Sequence, residues 1–195
     1  MKLIFATNNL HKLREAGAIL GTGFSLTTPA DHGITEEIPE LEATLTGNAL
    51  AKARYIYDRT RADCFADDTG LEVFALGGAP GVRSARYAGD THDFAANMEL
   101  LLRNMEGVAD SRARFRTVVA LILGGREHLF EGEVGGVIID APRGGEGFGY
   151  DPIFVPDGYT LTFAELPPSE KNLISHRARA IENLLAFFKA GPGIL

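Results

Sequence analysis

The chain has 195 residues, 45% hydrophobic and 23% charged, enough for one globular domain with a real core. A net charge of -7 excludes general attraction to nucleic-acid backbone or anionic membrane, so any phosphate site must be a local basic cluster. One cysteine, Cys64, excludes an internal disulfide framework and a cysteine-rich zinc site. With no export signal and no apolar run of membrane-spanning length, the expected location is cytoplasmic.

In chain order, residues 2 to 6 (KLIFA) predict a short buried strand, followed by an Asn-rich turn and a helix from about His11 to Leu20 that Gly21 ends. Between Thr44 and Thr60, Leu45, Ala49, Ala53, Ile56 and Tyr57 recur at helical spacing, which sets Asn48 and Lys52 together on a polar face. An apolar strand containing Cys64 as a small buried residue runs to Ala66. Asp67-Asp68-Thr69-Gly70 then predicts a tight turn, and Leu71 to Leu76 a further strand, ending at Gly77 to Gly81.

Thr91 is a candidate N-cap for a helix to about Met105, with Phe94, Met98, Leu101, Leu102 and Met105 on its apolar side and Gly107 after it. Arg112, Arg114 and Arg116 alternate with Ala113, Phe115 and Thr117 before VVALIL, predicting a long strand with a charged, exposed face at one end. A strand from about His128 to Val134 leads through Gly135 to Ile139 into the glycine-rich loop Gly144 to Pro152. Ala178, Ile181, Leu184, Leu185 and Phe188 define a last helix beginning near Ser175. With no internal repeat or linker, residues 1–195 read as a single α/β unit with mixed strand order.

Four features bear on chemistry. Thr7 to Lys12 leaves the carboxyl end of a strand and enters a helix, so backbone N–H groups and Lys12 can converge on an anion; helix capping alone also accounts for the turn. The adjacent acids Asp67 and Asp68 repel unless a cation or proton intervenes, which suits Mg²⁺, although a solvated turn is the plain alternative. Magnesium needs few protein carboxylates, so one further acid such as Glu40 or Glu42 suffices. Phe148-Gly149-Tyr150-Asp151 offers aromatic rings that either stack on a base or plug the end of a loop. Lys171, His176 and Arg177 supply donors near the start of the last helix, with Ser175 as a helix cap and Arg177 solvated as the plain alternative.

Six segments in order, ATNNLHKLRE (from Ala6), GNALAKAR (from Gly47), ADDTGLEV (from Ala66), GGAPGVRSARYAG (from Gly77), GFGYDPIF (from Gly147) and EKNLISHRARA (from Glu170), resemble the inosine and xanthosine triphosphate pyrophosphatase family over nearly the whole chain. The resemblance implies an elongated α/β domain of two lobes around a central mixed sheet with flanking helices, a nucleotide cleft between the lobes, and a homodimer. It implies hydrolysis of ITP, dITP and XTP to the monophosphate and pyrophosphate with Mg²⁺. It assigns Thr7, Asn8, Asn9, Leu10, His11 and Lys12 to the triphosphate with Lys52 beside it, Asp68 as general base and metal ligand, Asp67 as its support, and Glu40 as the second metal carboxylate, with Glu42 close by. Thr69, Phe148, Gly149, Tyr150, Asp151, Lys171, His176 and Arg177 become substrate contacts, Phe148 stacking on the purine and Arg177 or His176 reading its edge. Gly47 departs from the Glu that many relatives carry there. A nucleotide sensor without turnover and a metal-dependent phosphatase are the competing functions.

Overall fold

Among residues 1–191, which the computed structural model describes, six strands and five helices form. The strands are β1 (Lys2–Phe5), β2 (Ser25–Thr27), β3 (Cys64–Val73), β4 (Arg112–Leu123), β5 (Arg126–Ile138) and β6 (Phe154–Pro156). The helices are α1 (Leu10–Leu20), α2 (Leu45–Thr60), α3 (Phe94–Met105), α4 (Pro168–Ile174) and α5 (His176–Ala190). One sheet runs in the order β2-β1-β3-β4-β5-β6, with β1 parallel to β2 and β3, and β6 antiparallel to β5. This is the α/β architecture with a mixed sheet and flanking helices that the sequence led us to expect. The chain divides into two compact units, one of Met1–Asp68, Thr117–Gly132 and Arg177 onward, the other of Thr69–Arg116 and Glu133–His176.

In the first unit, β1 and β3 have sheet neighbours on both sides, and the parallel register pairs Phe5 with Phe65. Their rings stack at 4.3 Å. Around them Leu3, Val119 and Leu121 meet Ala16 and Leu20 of α1 and Ala180, Ile181 and Leu184 of α5 in one buried core. Cys64 points to the opposite face, where its thiol donates to the Ala53 carbonyl of α2 at 3.3 Å. Strand alternation therefore gives odd residues of this stretch of β3 to α1 and α5, and even ones to α2. Asn9 caps α1 by accepting from the His11 and Lys12 amides, and Thr44 caps α2 through the Gly47 amide.

The expected turn at Asp67 to Gly70 does not exist. Strand β3 runs through it unbroken, buried at both acids. The acids need no solvated turn because buried cations meet them, as described below. Gly70 is needed for a different reason: a Cβ there would lie 2.5 Å from the Gly81 carbonyl oxygen. The strand also ends earlier than expected, at Val73, with a 3-10 turn over Phe74–Leu76.

The second unit is built on Leu71, Val73, Leu101, Phe115, Val134, Ile138, Ile153, Phe154, Phe163 and Leu166. Helix α3 begins two residues later than the Thr91 cap predicts, because the Asp93 carboxylate accepts from the Ala95 and Ala96 amides. The glycines after Val134 do not end β5. At Gly136 a side chain would run into the Val155 carbonyl and the Phe154 ring, so the missing Cβ lets β6 pair there, Gly136 opposite Pro156. The residues before Ser175 form the separate short helix α4, started by Pro168. Arg114 meets Glu72 at 2.6 Å and Glu133 at 3.1 Å, so the charged strand face carries an ion-pair ladder.

Candidate active site

Consecutive residues of β3 face opposite ways, so Asp67 and Asp68 meet different helices. Asp67 accepts from Lys12 Nζ of α1 at 2.8 Å and from Arg177 Nε of α5 at 2.9 Å, and is 2% exposed. Arg177, 1% exposed, donates its other arm to Glu15. Burial alone would raise the Asp67 pKa, but Lys12, Arg177 and Lys52 outweigh it and hold the carboxyl well below the usual range. It is firmly ionised.

Asp68 turns to α2. Lys52 Nζ donates to it at 3.2 Å and Asn48 Nδ2 at 3.1 Å. The polar face expected on α2 is therefore inward, with Asn48 at 2% and Lys52 at 6% exposure. Burial raises the Asp68 pKa more than Lys52 and Lys12 lower it, and Glu40 adds to the rise. The two neighbours are thus driven apart electrostatically, one a fixed anion and the other a carboxylate that takes up a proton more readily than an ordinary aspartate.

The same Lys52 ammonium also reaches Glu40 Oε1 at 2.6 Å. Glu40 and Asp68 therefore converge on one cationic group, whereas the Glu42 side chain is exposed and its backbone amide donates to Asn48 Oδ1 at 2.9 Å. A hard cation fits this donor set. Both donors are carboxylates, and among the described residues no cluster of three or more His, Cys, Asp or Glu ligands forms. Two carboxylates with the remaining positions left to water and phosphate oxygens is the protein ligation Mg²⁺ accepts.

In the turn from Thr7 to Lys12, Thr7 Oγ1 accepts from the Asn9 amide, and Asn9 Oδ1 takes those of His11 and Lys12. Capping is thus what the turn shows in this state. Asn8, Leu10 and His11 are exposed, and Lys12 is carried toward Asp67. Lys12, Lys52, Asp67, Asp68 and Glu40, which the resemblance assigns to the triphosphate, the metal and catalysis, are brought together in the first unit.

The remaining expected contacts lie in the second unit, apart from Arg177. Lys171 and Asp151 form a buried pair at 2.7 Å, and Asp151 also accepts from the Phe148 amide at 2.8 Å. Lys171 Nζ stands 5.2 Å from the centre of the half-buried Phe148 ring, which leaves that ring on an ordered loop beside a cation. Tyr150 is buried and donates its hydroxyl to the Ser84 carbonyl at 2.9 Å, a core role. His176 is buried with its ring stacked on Phe115 at 4.6 Å. Thr69 and Gly149 are half-buried.

Sequence reasoning missed Glu15 and the bonding of Asn48. Glu15 was legible in principle, since it lies one helical turn beyond Lys12. Its partner, 162 residues away, was not.

The chain matches the Ham1 family model over residues 3–187. It is 51% identical over 187 residues, 95% of this chain and 96% of the relative, to the dITP/XTP pyrophosphatase of Porphyromonas gingivalis. Among solved structures it resembles a HAM1 protein from Coxiella burnetii, with TM-score 0.89 and 35% identity over 98% of this chain and all of that one. The Staphylococcus aureus Ham1 protein aligns with TM-score 0.88 and 35% identity over 97% of this chain and 99% of that one. A match across almost the full length, joined to the segments that carry the buried acid and lysine network, places this chain in the Ham1 family.

Proposed function

We propose that this chain hydrolyses non-standard purine nucleoside triphosphates, dITP, ITP and XTP, to the monophosphate and pyrophosphate, clearing them before they enter DNA or RNA. The observation that carries the proposal is the pair of consecutive buried carboxylates with separate lysines, in a chain half identical to a dITP/XTP pyrophosphatase.

A triphosphate brings about four negative charges at neutral pH, and an acidic protein must meet them locally. Lys12 and Lys52 supply positive charge where negative charge develops on the phosphate oxygens. Asp67, clamped by Lys12 and Arg177, orients Lys12 and stays ionised throughout. Asp68 accepts the proton of the attacking water, and its raised pKa makes it a better base than an ordinary carboxylate. Glu40 and Asp68 would hold Mg²⁺, which when bound neutralises phosphate charge and polarises its oxygens. No covalent intermediate is required.

Base selection follows from the 6-oxo oxygen of hypoxanthine and xanthine, an acceptor where adenine has a donor. Donors set for that oxygen are left unpaired by adenine, which a hydrogen-bonding site rejects by roughly four to five powers of ten. Lys171 and His176 belong to this part of the proposal, while Phe148 stacks on the purine without selecting among bases. Arg177 is better placed as the clamp on Asp67, since its guanidinium is held by two carboxylates. Magnesium, a homodimer and a cytoplasmic location complete the reading; light scattering tests the dimer.

Phosphate release from ITP, XTP, GTP and ATP, with and without added inorganic pyrophosphatase, tests the reaction. The expected result is phosphate from ITP and XTP only when the auxiliary enzyme is present. Phosphate without it would mean a phosphatase, and none in either case a binding module.

A further inference from the structure

The segment that carries Glu40 is seated on the first two turns of α2 by contacts that the chemistry above does not use. Asn48 is central to them. Its Oδ1 accepts from the Glu42 amide at 2.9 Å, and its Nδ2 donates to Asp68 Oδ2 at 3.1 Å. These partners fix the amide orientation, because the N–H needs an acceptor and the carboxylate needs a donor. The side chain is 2% exposed, so leaving its amide groups without a partner would be costly. One residue earlier, a Cβ on Gly47 would lie 2.7 Å from Glu42 Cβ, so the segment lies flush against the helix. Thr44 then caps α2 through the Gly47 amide at 3.0 Å, closing the segment onto the same turn.

We propose that Asn48 is a positioning residue that holds the Glu40 segment and the Asp68 carboxylate in one register. The inference rests on the functional reading of Asp68 and Glu40 given above. Only an amide serves both partners: leucine of similar size offers neither group, and aspartate keeps the acceptor for Glu42 while turning a carboxylate toward Asp68. The two substitutions therefore separate the two halves of the role.

In Asn48→Leu, kcat for dITP should fall about 10- to 100-fold, as is usual when a group that orients a metal-binding carboxylate is lost. The Mg²⁺ concentration for half-maximal rate should rise, Mn²⁺ binding to the nucleotide-free chain should weaken by electron paramagnetic resonance, and the Glu42 amide should exchange faster by NMR. Asn48→Asp should lose turnover to a similar degree while the Glu42 amide stays protected. Wild-type kcat and Mg²⁺ requirement in Asn48→Leu, or unchanged exchange at Glu42, would overturn the proposal. Should Asn48→Leu fail to fold, wild-type turnover in Asn48→Asp would overturn it equally. Asp68→Asn separates the two readings. An active Asp68→Asn chain means the functional reading has failed, whereas an inactive one alongside a normal Asn48→Leu chain means only the positioning role has.

Discussion

Two carboxylates one residue apart have opposite energetics, and mutation should expose the difference. Asp67→Asn leaves the buried Arg177 and the half-buried Lys12 short of their shared anion, which should destabilise the fold by on the order of 3 kcal/mol in urea denaturation. Asp68→Asn removes a charge that burial disfavours, while Lys52 keeps Glu40, so stability should stay within about 1 kcal/mol of wild type. Turnover should vanish in Asp68→Asn all the same. Substantial activity in a folded Asp68→Asn chain would remove it as the base. Cys64 offers a check on burial away from this chemistry. Desolvation, with Asp63 adding, pushes its thiol up to about 12. Iodoacetamide at pH 8 should therefore leave the native chain unlabelled and modify it only after unfolding; prompt native labelling would contradict the buried packing against Ala53.

At the scale of elements, β3 and β5 were misread where an acid pair or a pair of glycines stood inside them. Asp67 to Gly70 has turn chemistry by composition, yet β3 continues through it, because Lys12, Arg177, Lys52 and Asn48 supply from distant helices the partners that water would give a turn. Gly135-Gly136 reads as a break in β5 but makes room for β6. Substituting Gly136 by Ala should accordingly cost about 1–3 kcal/mol through overpacking against Val155 and Phe154, measured by the urea midpoint. A neutral effect would mean that the edge strand relaxes freely. Helices were more legible. Their apolar spacing and caps are local, and α1, α2 and α3 fall within two residues of the expected starts.

For the molecule as a whole, a net charge of -7 and a polyanionic substrate are reconciled only where lysines are held inside an acidic network. On the magnesium proposal, chelation should abolish pyrophosphate release, Mg²⁺ should restore it, and Ca²⁺ should support it poorly because its looser coordination relaxes the octahedral arrangement. Undiminished turnover in excess chelator would reject the metal. The sequence by itself determined the fold class, helices α1, α2, α3 and α5 and the candidate set of acids and lysines, because periodicity and ordered short motifs are written locally along the chain. Tertiary structure decided which acid meets which base. Strand alternation sends Asp67 to α1 and α5 and Asp68 to α2, so a single residue step selects between partners up to 110 residues away. The inward turn of Asn48 and the clamp of Glu15 on Arg177 were decided there too, since burial converts a polar helix face into a bonding surface only once another element covers it.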